Sequence, residues 1–332
     1  QLQDGTEGIG KVLTSMTADG KAQWATPAGL TYFTEAQSTT APNATVPVDS
    51  LTAVTATTNG DIAIVPKGTG AFQLAVPDST ITGGNKRGQY AVDSQMIRNA
   101  NTRVASGNRS VIIGGYNNGA TNTYSIVGGE SNQSLGYGSV VFGASNIAND
   151  TTGVAIGNGN NISGQSSVGL GESNTIGAGR NYAFTAGGSN TISTAGQYQI
   201  ALGYLNTVSN NVAVGIGYNN IASGTFAVAI GGTNTASGNT SVALGGTVTA
   251  SGTNAIAIGS GTGTASGNQS IMLGYGNIAN NTSAISIGYG NTASGTYATV
   301  AGGQNNTASG SYSFIAGGYL NAATGGFSFD WR

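Results

Sequence analysis

The chain has 332 residues and a net charge of −2, with 57 glycines, 7% charged residues, five prolines and neither cysteine nor histidine. That inventory excludes a Ser-His-Asp triad, a thiol nucleophile, a disulfide framework and the usual zinc sites. It lacks the basic stripe that nucleic acid needs as a partner, and no apolar run is long enough for membrane insertion.

Residue 1 is Gln, and no charged-then-apolar leader follows it, so the chain reads as a processed product or a fragment. All five prolines lie before residue 78, and 15 of the 22 charged residues lie in 1–103. Residues 1–78 therefore read as a β-hairpin-rich shaft. Lys11–Ser15 and Lys21–Trp24 flank a turn at Asp19-Gly20, and Asn59-Gly60 separates Ala53–Thr57 from Asp61–Val65. Residues 79–104 form a neck or connector. Lys86, Arg87, Arg98 and Arg103 in this segment and Arg109 just after it fall within 24 positions, and the preferred reading pairs them with Asp93 or solvent rather than with acidic glycans. Residues 91–100 suit either a short helix or an irregular bracket.

From 105 to 326 the chain is a repeat. Fifteen copies align on positions 118, 132, 146, 160, 174, 190, 206, 220, 234, 248, 263, 277, 291, 306 and 321, thirteen of them Asn, with Val248 and Gly263 as exceptions. Nine of the fourteen spacings are 14 residues, three are 15 and two are 16. Such a unit is too short for a helical repeat, and its interior alternates with period two. Larger apolar residues stand six and four before the marker (Val228 and Ile230, Val242 and Leu244), with a small residue between them (Ala229, Ala243). A second short strand follows the marker, and Gly supplies the turns. The fold class expected is all-β: a parallel β-solenoid of about 14 residues per rung and about 15 rungs, roughly 70 Å long at ~4.8 Å per rung. Asn146, Asn160, Asn174, Asn190, Asn206, Asn220 and Asn234 are expected to form a structural amide ladder. The larger side chains are expected inside. The small ones, Ala229 and Ala243 among them, are expected outside, letting neighbouring chains approach as a parallel homotrimer. Residues 327–332 are the C-terminal end or the connection to a further tip.

No catalytic residue, metal site or cofactor is expected. Glu130 and Glu172 share a rung position but lie three rungs apart, roughly 14 Å, too far for a glycosidase pair. Two surfaces are candidates for ligand contact. Tyrosines stand two before the marker in six rungs, and Tyr204 with Tyr218 and Tyr275 with Tyr289 fall on neighbouring rungs, offering flat faces to sugar rings. The two consecutive 16-residue rungs carry extra residues near Arg180, Tyr182 and Tyr198, which should be expelled as bulges stacked into one raised patch. A column of Thr residues (Thr235, Thr249, Thr264) raises ice binding as a remote alternative.

Segments such as Ser241-Val242-Ala243-Leu244-Gly245 and Ala250-Ser251-Gly252 resemble the head repeats of trimeric autotransporter adhesins. The resemblance implies a left-handed parallel β-roll, three chains side by side, and binding rather than catalysis. The order of hairpins, neck and repeats resembles the shaft-to-tip region of bacteriophage tail fibres. On these resemblances the expected role is a trimeric tail-fibre or receptor-binding protein of the virion. Its partners would be other virion tail proteins and a host-surface glycan or protein. The alternative is an adhesin head on the bacterial surface.

Overall fold

The computed structural model describes four N-terminal strands as backbone, then residues 64–193 and 196–330. The chain divides into two compact units, Gln1–Val65 and Pro66–Arg332. In the first, β1 (Val12–Ser15) pairs antiparallel with β2 (Ala22–Ala25), and β3 (Phe33–Ser38) with β4 (Val48–Ala53). The first pair falls where the Asp19-Gly20 hairpin was expected, although its turn lies outside the described residues. So does the Asn59-Gly60 turn. The β3–β4 pair had no turn dipeptide to announce it.

The second unit is a parallel β-solenoid. Each rung has a long strand, usually of five residues, and a two-residue strand. The long strands form one parallel sheet from β5 (Phe72–Gln73) and β6 (Val92–Asp93) through Val228–Gly232 to Phe329–Asp330. The two-residue strands form a second, fifteen-stranded sheet. Register repeats rung after rung: Val228 pairs with Val214 and Val242, and Thr235 with Ile221 and Thr249. No helix occurs among the described residues, so 91–100 is the irregular bracket rather than the helix. Stacking also begins earlier than residue 105, and the compact unit starts at Pro66 rather than at a 78/79 break. Phe72 and Val92 already pair as rung strands, though irregular segments join them and hide the 14-residue period.

The two faces of the long strand are the reverse of the expectation. Ala229 and Ala243 are fully buried inside the roll, while Ile230 is 37% exposed and Leu244 half-buried on the outside. The two strands of a rung lie about one side chain apart, so the interior does not take a large residue opposite another large one. The interior is filled by pairing large with small. Where the long strand has Gly169, Ile162 Cδ1 stands 2.1 Å from where a Cβ would be, and Gly215 likewise accommodates Val208. Ile112 is also interior. An irregularity between Ile112 and Gly115 shifts this first regular rung by one residue, so Val111, not Ile112, aligns with Ile126.

One corner of each rung is closed by the marker asparagine. Asn234 is buried. Its backbone N–H donates to Asn220 Oδ1 (3.0 Å), and its side-chain amide donates to Ile230 O (2.9 Å) and Gly245 O (2.8 Å). The same pattern links Asn146, Asn160, Asn174, Asn190, Asn206 and Asn220. At the start of the column Gln95 takes this role, its Oε1 accepting from Asn118 N at 2.5 Å. The glycine three before the marker completes the corner. Gly231 has φ of +120°, and a Cβ there would stand 2.0 Å from Gly245 O, so no larger residue fits. Val248 and Gly263 interrupt the ladder together, and the buried Met272 side chain occupies the space that Gly263 leaves. Two further corners sit at left-handed φ even without glycine, as at Thr233 (61°) and Thr240 (57°). Their N–H groups join the rung ladder, to Tyr218 O (2.8 Å) and Thr225 O (2.7 Å), which helps offset the strain.

In the neck, Arg87 Nε donates to Asp93 Oδ2 at 2.7 Å, and both side chains are buried. Arg98 is buried beside them and donates to Gln95 O and Thr82 O. Burial, then the Arg87 charge, pulls the Arg98 guanidinium below its ordinary value. The basic cluster is thus largely internal here, while Lys86 and Arg109 are exposed.

Two substitutions separate these contributions. Asn220→Leu strands Gly231 O and Asn234 N in the interior and is expected to cost about 2–4 kcal/mol in urea unfolding, with Thr235→Ala within about 0.5 kcal/mol as control. Asp93→Ala leaves the Arg87 charge buried without its carboxylate and is expected to cost about 3–5 kcal/mol.

Candidate functional site

Three surface columns run along the roll, each set by one position of the rung. The first is apolar. Residues six and four before the marker point outward from the long strand: Val228 and Ile230, Val242 and Leu244, Ile271 and Leu273. β-Branched residues favour the strand they occupy, and the rung register lines them up without interruption by charge. Ile113, Ile156, Ile230 and Ile258 are between 37% and 60% exposed. A single soluble chain rarely leaves a continuous apolar strip of this length open.

The second column is the tyrosine position two before the marker. Tyr204 and Tyr218 stack at 6.1 Å between ring centroids, and Tyr275 and Tyr289 at 4.9 Å, nearly parallel. Strand register brings each pair together, as expected from their spacing. All four are about half exposed. Each pair also covers a glycine on the preceding rung: a Cβ at Gly188 would meet the Tyr204 ring at 2.9 Å, and one at Gly261 the Tyr275 ring at 2.6 Å. One face of the leading ring in each pair is thus turned to protein. The exposed edges and hydroxyls are what remains for a ligand.

The third column lies at the left-handed corner six after the marker, or eight after it in the two 16-residue rungs. It holds Tyr90, Arg109, Tyr124, Tyr182, Tyr198, Val212, Phe226, Tyr297, Tyr312 and Phe327, all at φ between 54° and 60°. Tyr182 and Tyr198 stack at 5.2 Å, and Tyr297, Tyr312 and Phe327 form a triple stack at 5.0 Å per step. The sequence singled out Tyr182 and Tyr198 only as neighbours of the insertions. Aligning each copy on the residue before the strand, rather than on the asparagine alone, would have exposed the whole column despite variable turns.

The insertions do enlarge one turn on two successive rungs. Both fall between the short strand and this corner, at 177–180 and 193–196, the latter including two residues outside the described set. Arg180 does not project from them. Its guanidinium donates to Ala178 O and, at 2.7 Å, to Ser193 O on the next rung, so it clasps the two enlarged turns. Arg180, Tyr182 and Tyr198 are therefore close, but the cation is engaged with backbone and the tyrosines supply the open surface.

Glu130 and Glu172 lie in one column separated by Ala144 and Asn158, three rungs and roughly 14 Å apart. The Thr column is broken by Ile221 between Thr207 and Thr235, and by Ile278 between Thr264 and Thr292. It offers no uninterrupted flat array.

These repeats have a counterpart among known families. The family described as YadA head domain repeat (2 copies) matches residues 134–160, 213–234, 222–247, 236–262 and 279–302. The matched segments all lie in the solenoid, and they are similar to the adhesin-head repeats found in trimeric autotransporters. No curated protein matches the chain.

The clasp is directly testable. Arg180→Met is expected to lower stability by about 1 kcal/mol in urea unfolding, leaving the secondary-structure signal unchanged.

Proposed function

We propose that this chain is the head of an extracellular attachment protein, a parallel homotrimer that binds a surface ligand and catalyses no reaction. The observation that carries the reading is the apolar column on the outside of a roll whose repeats match an adhesin-head family. Three copies placed side by side bury that column. Each Val, Ile or Leu side chain covered contributes about 1–2 kcal/mol, and the contribution recurs on successive rungs. The contact is therefore made by the larger side chains, not by Ala229 and Ala243, which belong to the interior of each roll. The bacterial surface is the setting that the repeat family favours. The ligand classes proposed are a cell-surface glycan or protein, met by the aromatic columns.

A second reading is a receptor-binding tail fibre of a phage, with other virion proteins as partners. It is favoured by the two antiparallel strand pairs, β1–β2 and β3–β4, that precede the solenoid. Finding the native protein in outer-membrane fractions supports the first setting, and finding it in purified virions supports the second.

The assembly makes a sharp prediction. Light scattering should give about three times 32.6 kDa. Ile230→Asp with Leu244→Asp is expected to yield monomers that keep their β-sheet signal. Loss of the fold is instead expected from Ala229→Asp, which places a carboxylate in the interior of the roll. A wild-type monomer at micromolar concentration overturns the trimer.

A further inference from the structure

The left-handed-corner column contains a gap shaped for one more ring. Its residues follow the rung ladder: Tyr198 N donates to Asn181 O, Val212 N to Gln197 O (2.9 Å) and Phe226 N to Asn211 O (2.9 Å). Tyr198 and Phe226 are thus two rungs apart, about 9.6 Å. Between them stands Val212, too short to reach out as far as the two rings. Tyr182 already covers one face of Tyr198, so the remaining face looks across the gap to Phe226. A depression of about 630 Å³ opens there, lined in part by Tyr198, Val212, Phe226, Gln197, Asn211 and Thr225.

The same column shows what such a gap accepts. Tyr90 and Tyr124 are also two rungs apart, and the planar guanidinium of Arg109 lies between them, 5.3 and 5.6 Å from the two ring centroids. A flat group of ring thickness therefore fits between aromatic residues on alternate rungs. At Val212 the chain supplies none. Val212 is also the only aliphatic β-branched side chain among the described left-handed non-glycine residues (φ 58°), a conformation that its branching disfavours.

We infer that Tyr198 and Phe226 clamp one neutral hexopyranose residue of a surface glycan over Val212. The apolar C–H faces of a pyranose suit two aromatic faces. No ionised side chain lines the depression, and the one nearby cation, Arg180, is held by Ala178 O and Ser193 O, which selects against a charged sugar. The rim is polar in a way that suits hydroxyls. Asn211 Oδ1 accepts from Gln197 N (2.9 Å), which turns the Asn211 side-chain NH₂ outward as a donor. This site deepens the attachment reading by naming a ligand class, and in a trimer it would occur three times, so weak single contacts would add up as avidity.

The test uses the full chain and saturation-transfer NMR with four probes, the methyl glycosides of galactose, glucose, mannose and N-acetylglucosamine. At least one should receive saturation on its ring C–H protons. Val212→Tyr, which fills the gap with a residue native to the neighbouring rungs, should reduce that transfer at least tenfold, as should Phe226→Ala. Tyr204→Ala, in the other column, should leave it unchanged. Transfer to none of the four, or full transfer in Val212→Tyr, overturns the site. A drop in molar mass on Val212→Tyr also overturns it, because the gap would then hold a side chain of a neighbouring copy. Trimer mass and whole-protein adhesion to surfaces are read separately, so loss of this site alone leaves the attachment reading standing.

Discussion

The rung corner depends on a buried amide that turns a backbone problem into a repeating solution. At the corner before the short strand, glycine bends the chain at positive φ and its carbonyl points inward, away from water. A buried carbonyl without a donor costs about 1–3 kcal/mol. Asn234 supplies the donor for Gly245 O on the next rung while Asn220 accepts from the Asn234 backbone. Each rung therefore completes its neighbour, and the length of the column follows from repetition of one local bond set. Gln95 extends the device into the neck with a longer side chain, and Met272 replaces it with packing where Gly263 breaks it.

That corner fixes the cross-section, and the cross-section fixes what each face can be. The two strands are so close that the space between them takes alanine opposite alanine, or isoleucine opposite glycine, as at Ile162 and Gly169. The larger residues of the long strand are left outside. A roll with a thin interior leaves the larger apolar side chains on its exterior, and that exposed strip is the surface the proposed trimer would bury. The chain carries no charge between Arg180 and Asp330, so the polar groups of the rung ladder and of the Asn, Ser and Thr columns supply the polar surface there.

The surface columns follow from the same register. A residue type repeated at one rung position becomes a stack about 5 Å apart, as with Tyr275 and Tyr289 or Tyr297 and Tyr312. Interrupting such a stack with a short side chain makes a slot of ring width. The proposed recognition needs no dedicated loop: it would be written by which rung carries an aromatic residue and which does not. Next to Tyr182 and Tyr198, Arg180 ties the turn at 177–180 to Ser193 on the next rung, and the ladder continues on both sides.

The 14-residue period, the marker asparagines and the paired tyrosines were legible in the sequence because each is a local spacing rule that stacking merely repeats. The parallel solenoid, its strand pair per rung and the ring stacks follow from those spacings. What the sequence did not determine is which side of the long strand is inside. Alternation says that Val228 and Ile230 share a face opposite Ala229, but not which face meets the second strand, and hydrophobicity favoured the wrong one. Only the tertiary structure decided it, because the separation of the two sheets limits the volume available, so that a large inward side chain needs a small residue opposite it. The aromatic corner column was hidden for a related reason: variable turns blur its spacing in the chain, and the rung ladder alone restores its register in space.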